Sequence, residues 1–321
     1  MSISLATLIA EYQTDPDSSY QRLRFHVRKN HDSLLRRIID RHGTALISDI
    51  KARDLKAWHR EWCGDGKLAM AHSFVGQLRT ILTHGALFLE DPECTRVRAA
   101  LGMMRFSAPS ARTERLTSGQ ADAIRVMAHE FGWHSIALAQ AFQFELMLRQ
   151  KDVIGEWVPE GEPGESDVHF RGQKWLRGVR WEEVNADLIL LHTTSKRQKE
   201  IEVDLRMAPM IMEEITCMGG RKATGPIIIC DTNGVPYSAA EFRRKWRLVA
   251  TAAGIPKAVR SMDSRAGGIT EASDAGADLE HIRHAATHSD IAMTQKYSRG
   301  ATDKIAGVML KRVEHRNRTV Q

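Results

Sequence analysis

Hydrophobic residues repeat with two different periods along this chain, and the place where the period changes constrains the fold. Long stretches before and after this place have apolar residues at helical intervals, and no internal repeat is present. Three short runs between residues 178 and 205, namely GVRWEEV, LILLHTT and KEIEVDL, alternate or run apolar at strand length with tight connections between them. The sequence therefore predicts a mainly α protein with a small three-stranded antiparallel sheet in its second half.

A polar segment without apolar periodicity separates two helical regions. Residues 107–117 consist mainly of Ser, Ala, Pro, Thr and Arg, a composition typical of an interdomain linker. We therefore predict a helical N-terminal domain at residues 1–106 and a mixed α/β domain at residues 118–321. The length of 321 residues also suits two domains better than one.

The composition permits a polyanionic partner and argues against several other classes of protein. Lys and Arg number 46 against 40 Asp and Glu, which gives a formal net charge of +6. The four cysteines are far apart and form no C-x-x-C pair, so we expect reduced thiols and neither a zinc site nor a disulfide framework. No apolar run approaches the roughly 18 residues that span a bilayer, and we expect no secretory signal at the N-terminus.

A tyrosine in a predicted polar helix near the C-terminus points to phosphate chemistry. Tyr297 follows His288 by nine residues in THSDIAMTQKYSRG. An unperturbed phenol has a pKa of about 10 and is a poor nucleophile near neutral pH. It becomes useful when the electrophile is a phosphodiester held by fixed cations, because these stabilise the charge on a pentacoordinate phosphorus.

Suitable supporting side chains stand elsewhere in the sequence. Arg149 lies near the end of a predicted apolar helix, with Asp152 three residues later to orient it. Lys196 lies in the tight turn between two predicted strands, Arg265 in the first turn of a predicted helix, and His288 just before another. Each feature alone is common as ordinary structure, so only their combination argues for a site.

In this order and spacing the residues resemble the tyrosine recombinases of the phage integrase family. The resemblance covers residue 116 to the C-terminus and is sharpest from Ser261 to Arg299. MDSR keeps the arginine of the family's H-x-x-R box, and THSDIAMTQKY keeps the His-Ser pair and the nine-residue step to tyrosine. RQKD matches the first arginine box, and SKRQK matches the hairpin lysine.

The resemblance implies a site-specific DNA recombinase, or integrase, that cleaves and rejoins DNA through a 3′-phosphotyrosine intermediate. Tyr297 is the implied nucleophile, and Arg149 and Arg265 are the implied clamp on the scissile phosphate. Lys196 is the implied general acid for the departing 5′-oxygen. Because the covalent link stores the energy of the broken bond, the resemblance implies neither ATP, nor a metal, nor any other cofactor.

The resemblance also assigns supporting residues and partners. His288 would hydrogen-bond the phosphate or the tyrosine oxygen, and Asp152 would hold Arg149 in place. The N-terminal helices resemble the core-binding domain with which the family clamps DNA. The implied partners are double-stranded DNA, three further protomers in a homotetramer on the synapse, and accessory directionality or bending factors, without a membrane. The implied location is cytoplasmic and nucleoid-associated, in a bacterium or phage-infected cell.

Basic residues outside this set are predicted to contact the DNA backbone. Two lie in the linker, and four surround Trp246 in EFRRKWRLVATAAG. A solvated linker and a solvated helix face explain the same residues about equally well. The predicted contacts are Arg112, Arg115, Arg243, Arg244, Lys245 and Arg247.

The chain departs from the family pattern at three positions, which leaves other interpretations open. Met262 stands where the family usually has the histidine of H-x-x-R, and a thioether cannot usefully exchange a proton. Thr287 and Met147 stand at positions that are commonly glycine. The main alternative is a DNA-binding regulator or assembly protein on the same fold, with reduced or lost cleavage. A type IB topoisomerase shares the chemistry, and a helical scaffold with coincidental motifs is a fourth interpretation.

Overall fold

The chain divides into two compact units, Met1–Arg112 and Thr113–Gln321, in a computed structural model that describes residues 2–295 together with Met309 and Arg312. The division falls inside the predicted linker at residues 107–117. The domain roles assigned from the sequence stay predictions.

The N-terminal unit is a helical bundle arranged around one central helix. Helix α4 packs against the four helices that the described residues place around it. Its apolar residues, among them Phe74, Leu78 and Ile81, recur at three- and four-residue intervals and are buried. The helices are α1 Leu5–Thr14, α2 Phe25–His42, α3 Ala52–Trp62, α4 Leu68–Leu87 and α5 Pro92–Met103.

The C-terminal unit is also mainly helical within the described residues. Its first helices are α6 Ser118–Glu130, α7 His134–Glu145 and α8 Gln150–Ile154. After the strands follow α9 Pro209–Cys217, α10 Ala239–Ala252, α11 Asp263–Asp274, α12 Leu279–Ala285 and α13 Ile291–Gln295.

Helix α7 is the hub of this unit, because every residue from 135 to 144 is buried. It contacts α6, α8, α9, α10 and α11. Its buried Gln140 donates to Ser264 Oγ of α11 at 3.1 Å and accepts from Trp246 Nε1 of α10 at 2.8 Å. The amide is satisfied on both sides, so α7 sets the positions of α10 and α11.

The strands form two small antiparallel sheets. In the first, the order is β1 Glu156–Pro159, β3 Gln173–Leu176, β2 His169–Phe170. The second is a hairpin of β4 Ile189–Thr193 and β5 Glu200–Asp204, in which Leu191 faces Glu202. The mainly α fold with small antiparallel sheets is therefore confirmed.

The composition of the three-stranded sheet differs from the sequence prediction. GVRWEEV is not a strand: it contains the 3₁₀ turn Trp181–Glu183, where the Glu183 carboxylate accepts from the Arg180 amide at 2.8 Å. The three-stranded sheet instead lies within residues 156–176, a segment rich in Gly and Pro. Its β2–β3 turn has φ of 51° at Arg171 and 73° at Gly172, the left-handed pair that a two-residue hairpin needs. Arg-Gly is a weaker sequence signal for this turn than Asn-Gly.

No helix in the described part of the chain is long and apolar enough to cross a membrane.

We predict that the packing of α11 against the chain before α6 tolerates no added methyl group. In Gly267→Ala the new Cβ would lie 1.9 Å from the Leu116 carbonyl oxygen and 3.0 Å from the Phe144 ring. Backbone has to shift, so we expect the free energy of unfolding to fall by about 1–3 kcal/mol, measured by urea denaturation.

Gly119→Ala is the matched control, because Gly119 lies in α6 with nothing within 4 Å of an added Cβ. We expect this control to be neutral or stabilising by up to about 1 kcal/mol. Equal stability of the two variants would mean that α11 does not lie so close to Leu116.

Candidate active site

Arg149 begins helix α8 and reaches toward the turn after α12. The sequence placed it near the end of the preceding helix, but α7 ends at Glu145 and Arg149 is the N-cap residue of α8. Its Nη1 donates to Thr287 Oγ1 at 3.3 Å and lies 3.9 Å from Asp152 Oδ2. The hydroxyl of Thr287 is thus nearer to this guanidinium than the carboxylate predicted to hold it.

Asp152 connects α8 to the β4–β5 turn. Its side chain is fully buried, and Oδ1 accepts from the Ser195 amide at 2.7 Å. Oδ2 has no hydrogen-bond partner among the described residues and faces Arg149. A buried carboxylate needs compensation, so Asp152 fixes the start of the turn relative to Arg149.

Two lysines of the β4–β5 turn occupy different environments. Lys196 directly follows the anchored Ser195 and is exposed. Lys199 is half-buried, and its Nζ lies 3.5 Å from the His288 carbonyl oxygen. The sequence analysis did not single out Lys199, because SKRQK holds two lysines and the pattern does not say which one faces the rest of the protein.

Arg265 is buried on the first turn of α11, as predicted from the sequence. Its guanidinium donates from Nη1 to the Met147 carbonyl and from Nη2 to the Ala286 carbonyl. These two carbonyls belong to the turns after α7 and α12. Arg265 therefore ties together the two turns that lead to Arg149 and His288.

His288 is 5% exposed, and its Nδ1 is 3.0 Å from Thr294 Oγ1 on α13. Burial lowers the pKa of His288 to about 4, and the charges of Arg265, Arg149 and Lys199 add to this effect. The imidazole is consequently neutral near pH 7.

The turns at Met147 and Thr287 have left-handed backbone, with φ of 51° and 52°. At the end of α12 the Thr287 amide donates to the His284 carbonyl and the His288 amide to the Arg283 carbonyl, both at 2.9 Å. This bond pair is a Schellman motif, whose left-handed residue is usually glycine. The two positions where this chain lacks the expected glycine are therefore positions where the backbone favours it.

The structure thus brings Arg149, Arg265 and His288 together and anchors the turn of Lys196 to Asp152. Tyr297 lies outside the described residues. Met262 precedes α11 with 57% of its side chain exposed. It borders a cavity of about 370 Å³. The other lining residues are Gln150, Arg243, Trp246, Arg247, Arg260 and Ser261.

Lys245 is not available for the DNA contact predicted from the sequence. It is 2% exposed, and its ammonium donates to Thr232 Oγ1 at 2.7 Å and to Cys230 Sγ at 3.1 Å. It also lies 4.9 Å from the centre of the Trp133 ring. Four cations within five residues of a helix cannot all share one face, and here the turn of α10 points Lys245 inward.

The other residues predicted to contact DNA are more exposed to solvent than Lys245. Arg243 and Arg244 are exposed on α10, and Arg112 and Arg115 are exposed between α5 and α6. Arg247 is half-buried and donates to the Val259 carbonyl.

A second concentration of positive charge lies within the N-terminal unit. A cavity of about 340 Å³ is lined by Arg53, Lys56, His59, Arg60, Arg105, Phe106 and Ser107, without an acidic residue. Arg53, Lys56 and Arg60 are exposed on α3. They lie on one face of this helix, since they are spaced by three and four residues.

Aromatic rings form part of the wall of this N-terminal cavity. The rings of His59 and Phe106 are 4.7 Å apart. Burial and the nearby His72 lower the pKa of His59. None of the cations around the cavity makes an ion pair within residues 2–295. The sequence analysis missed this cluster, because Arg105 joins the other cations only in the folded unit.

No group of three or more His, Cys, Asp or Glu residues in the described part of the chain is arranged to hold a metal ion.

Comparison with known proteins relates this chain to DNA integrases. Residues 174–303 match the sequence profile of the phage integrase family. No curated protein matches the chain by sequence similarity. The matched segment includes Lys196, Arg265, His288 and Tyr297, and it begins after Arg149.

Solved integrase structures share the fold. A lambda integrase dimer bound to a COC′ core site is 16% identical with a TM-score of 0.70, over 94% of this chain and 79% of that chain. A lambda integrase tetramer bound to a Holliday junction is 16% identical with a TM-score of 0.67, over 93% and 79%. The Tn1549 transposon integrase in complex with circular intermediate DNA is 15% identical with a TM-score of 0.66, over 96% and 99%.

Residues 174–303 match the phage integrase family, and the chain shares the fold of the solved integrases, in agreement with the motifs read from the sequence.

Proposed function

We propose that this protein is a site-specific DNA recombinase that cleaves and rejoins duplex DNA through a 3′-phosphotyrosine intermediate. The observation that carries the proposal is that Arg149 and Arg265 both bond the turn that directly precedes the neutral His288, at Thr287 and Ala286. Two guanidinium groups and an uncharged imidazole are suited to a phosphodiester, whose negative charge grows in the transition state.

In the proposed reaction the Tyr297 oxygen attacks the scissile phosphorus. The phosphorus–5′-oxygen bond breaks, the 3′ side stays linked to the tyrosine, and Lys196 gives a proton to the leaving 5′-oxygen. The phenol proton passes to a nearby base or to water. Attack by the 5′-hydroxyl of another strand reverses these steps, so the chain needs no ATP.

The two guanidinium groups are placed to contact a phosphate. Arg265 donates to the carbonyls of Met147 and Ala286, in the turns that lead to Arg149 and His288. Arg149 is about a quarter exposed and contacts a neutral hydroxyl at Thr287. In the proposed complex a non-bridging phosphate oxygen lies against the Arg149 guanidinium, with the exposed Lys196 at the edge.

Positive charge elsewhere supports contact with the DNA backbone. Arg243 and Arg244 on α10 offer exposed cations, as do Arg112 and Arg115. The cations of the N-terminal cavity, which make no ion pair among the described residues, offer another anion site. We include in the proposal DNA contact by the N-terminal unit and a homotetramer on the synapse; a lambda integrase tetramer bound to a Holliday junction shares the fold.

One observation favours a second candidate function, a DNA-binding regulator or assembly protein with reduced or lost cleavage. Met262 stands exposed at the start of α11, where the family pattern has a histidine. A methionine there supplies no hydrogen-bond donor for the phosphate. Without this hydrogen bond, the transition state should be destabilised more than the complex with uncleaved DNA, because the negative charge of the phosphate grows during cleavage.

We predict covalent trapping by a nicked duplex that carries a binding site selected from random sequence. The nick lets the short 5′-hydroxyl fragment diffuse away after cleavage, so the protein–DNA adduct accumulates on a denaturing gel. The adduct should vanish in Tyr297→Phe, which should still bind the duplex. Met262→His should form adduct at least as fast as the parent chain.

Tight and specific binding without adduct would support the regulator instead. Relaxation of supercoiled plasmid that depends on no site would indicate a topoisomerase.

We predict that DNA binding takes up a proton at His288. A phosphate placed beside the imidazole raises its pKa from about 4, because the anion stabilises the imidazolium. The bound state then holds more protons than the free state, so affinity should rise as pH falls from 7 toward 5. The measurement is the dissociation constant against pH for the parent chain and His288→Gln.

His169→Gln is the control, since His169 is an exposed histidine bonded to Glu160. This control should keep the parent's pH dependence. If His288→Gln keeps it too, the phosphate does not lie beside His288.

We predict that the N-terminal cavity contributes to the salt dependence of DNA binding. Each lost phosphate contact should reduce the slope of log affinity against log salt by about 1. Arg53→Ala and Arg60→Ala should each show this loss in a salt titration. Arg206→Ala is the control, because Arg206 is already paired with Asp204 at 2.7 Å. Slopes identical to the control would exclude contact through this cavity.

A further inference from the structure

We propose that Thr287 is a positioning residue that holds Arg149 in place before DNA binds. The inference rests on the proposed function, because Arg149 is the guanidinium proposed to clamp the phosphate. It starts from a conflict between the identity of residue 287 and its backbone conformation.

The backbone at residue 287 disfavours threonine. Thr287 has φ of 52° in the Schellman motif that ends α12. A β-branched residue in this conformation is an outlier, because its Cβ substituents crowd the backbone. Glycine is the residue that this position accepts without strain. Strain of this kind persists where the surrounding structure or the function requires the side chain.

The side chain of Thr287 makes a contact that glycine cannot make. It is 2% exposed, and its Oγ1 accepts from Arg149 Nη1 at 3.3 Å. The carboxylate of Asp152 is farther from the same nitrogen, at 3.9 Å. Asp152 directs its other oxygen to the Ser195 amide at 2.7 Å. Thr287 therefore supplies the shorter polar contact of the Arg149 guanidinium.

This contact joins two separate parts of the site. Arg149 starts α8, and Thr287 directly precedes His288 in the turn after α12. Arg265 already bonds the carbonyl of Ala286 in the same turn. A hydroxyl at residue 287 thus brings the second guanidinium to the turn that the first one holds. Because the hydroxyl is neutral, it aligns Arg149 without competing with the phosphate as a carboxylate would.

The test separates strain from positioning with three variants. Thr287→Gly removes the whole side chain and with it the strain and the hydroxyl. Thr287→Ala removes the hydroxyl and the γ-methyl but keeps Cβ, and Thr287→Ser removes only the γ-methyl and keeps the hydroxyl. We expect the melting temperature of Thr287→Gly to be unchanged or raised by about 2–4 °C. We expect covalent adduct formation to slow by about 10- to 100-fold in Thr287→Gly and Thr287→Ala, and to stay near the parent rate in Thr287→Ser.

A second readout does not depend on cleavage. In protein labelled with ¹⁵N-arginine, the side-chain signal of Arg149 is assigned by its loss in Arg149→Lys. The NMR order parameter of the Arg149 side chain should fall in Thr287→Gly and Thr287→Ala. It should keep the parent value in Thr287→Ser.

The outcomes distinguish the two proposals. An Arg149 side chain as ordered in Thr287→Gly as in the parent chain would overturn the positioning role, as would a Thr287→Gly protein that cleaves at the parent rate. If the parent chain forms no adduct with any DNA, the proposed cleavage fails, and the order of Arg149 still decides the role of Thr287.

Discussion

The two hydrogen bonds from the Arg265 guanidinium to the carbonyls of Met147 and Ala286 are the interaction on which the candidate site depends. Each carbonyl lies two residues before a further site residue, Arg149 in one turn and His288 in the other. Because the guanidinium is rigid and planar, it fixes the separation of the two turns. The buried charge is tolerated because main-chain oxygens satisfy its donors. Helix α11, which carries Arg265, is in turn held against α7 by Gln140 and Ser264.

The described site concentrates positive charge around His288. Arg149, Arg265 and Lys199 all act on His288 and, with burial, keep its imidazole neutral. The acidic member of the cluster, Asp152, is drawn toward the Ser195 amide and lies 3.9 Å from Arg149. Repulsion between these positive charges opposes their close approach, and the left-handed backbone at Thr287 adds strain. The buried α7 core offsets these costs, and a bound phosphate would relieve the electrostatic part.

The sequence predicts the helices well because their apolar periodicity and N-caps are local signals. It also predicts Arg265 at the start of a helix and Lys196 in a hairpin turn. It misplaces the three-stranded sheet, because the Arg171–Gly172 turn resembles ordinary loop sequence and the apolar run around Trp181 closes into a 3₁₀ turn. Burial of Lys245 depends on how α10 packs, which the RRKWR sequence does not reveal. Long-range contacts such as Lys199 with His288 exist only after folding, and no local pattern encodes them.

The methionine at position 262 relates the two proposed functions to each other. A histidine at this position would donate a directed hydrogen bond to the phosphate. The cavity beside Met262 is instead lined by the guanidinium groups of Arg243, Arg247 and Arg260. Guanidinium groups stay charged at every physiological pH and attract a phosphate over several ångströms, but they do not replace a donor aimed at one oxygen. Attraction of this kind acts on the ground state and the transition state alike, so it preserves affinity more than rate. If the proposed function holds, we expect methionine at this position to reduce cleavage more than binding. A recombinase and a binding regulator are then two points on one scale, set by the contacts of Arg149, Arg265 and His288 with the phosphate.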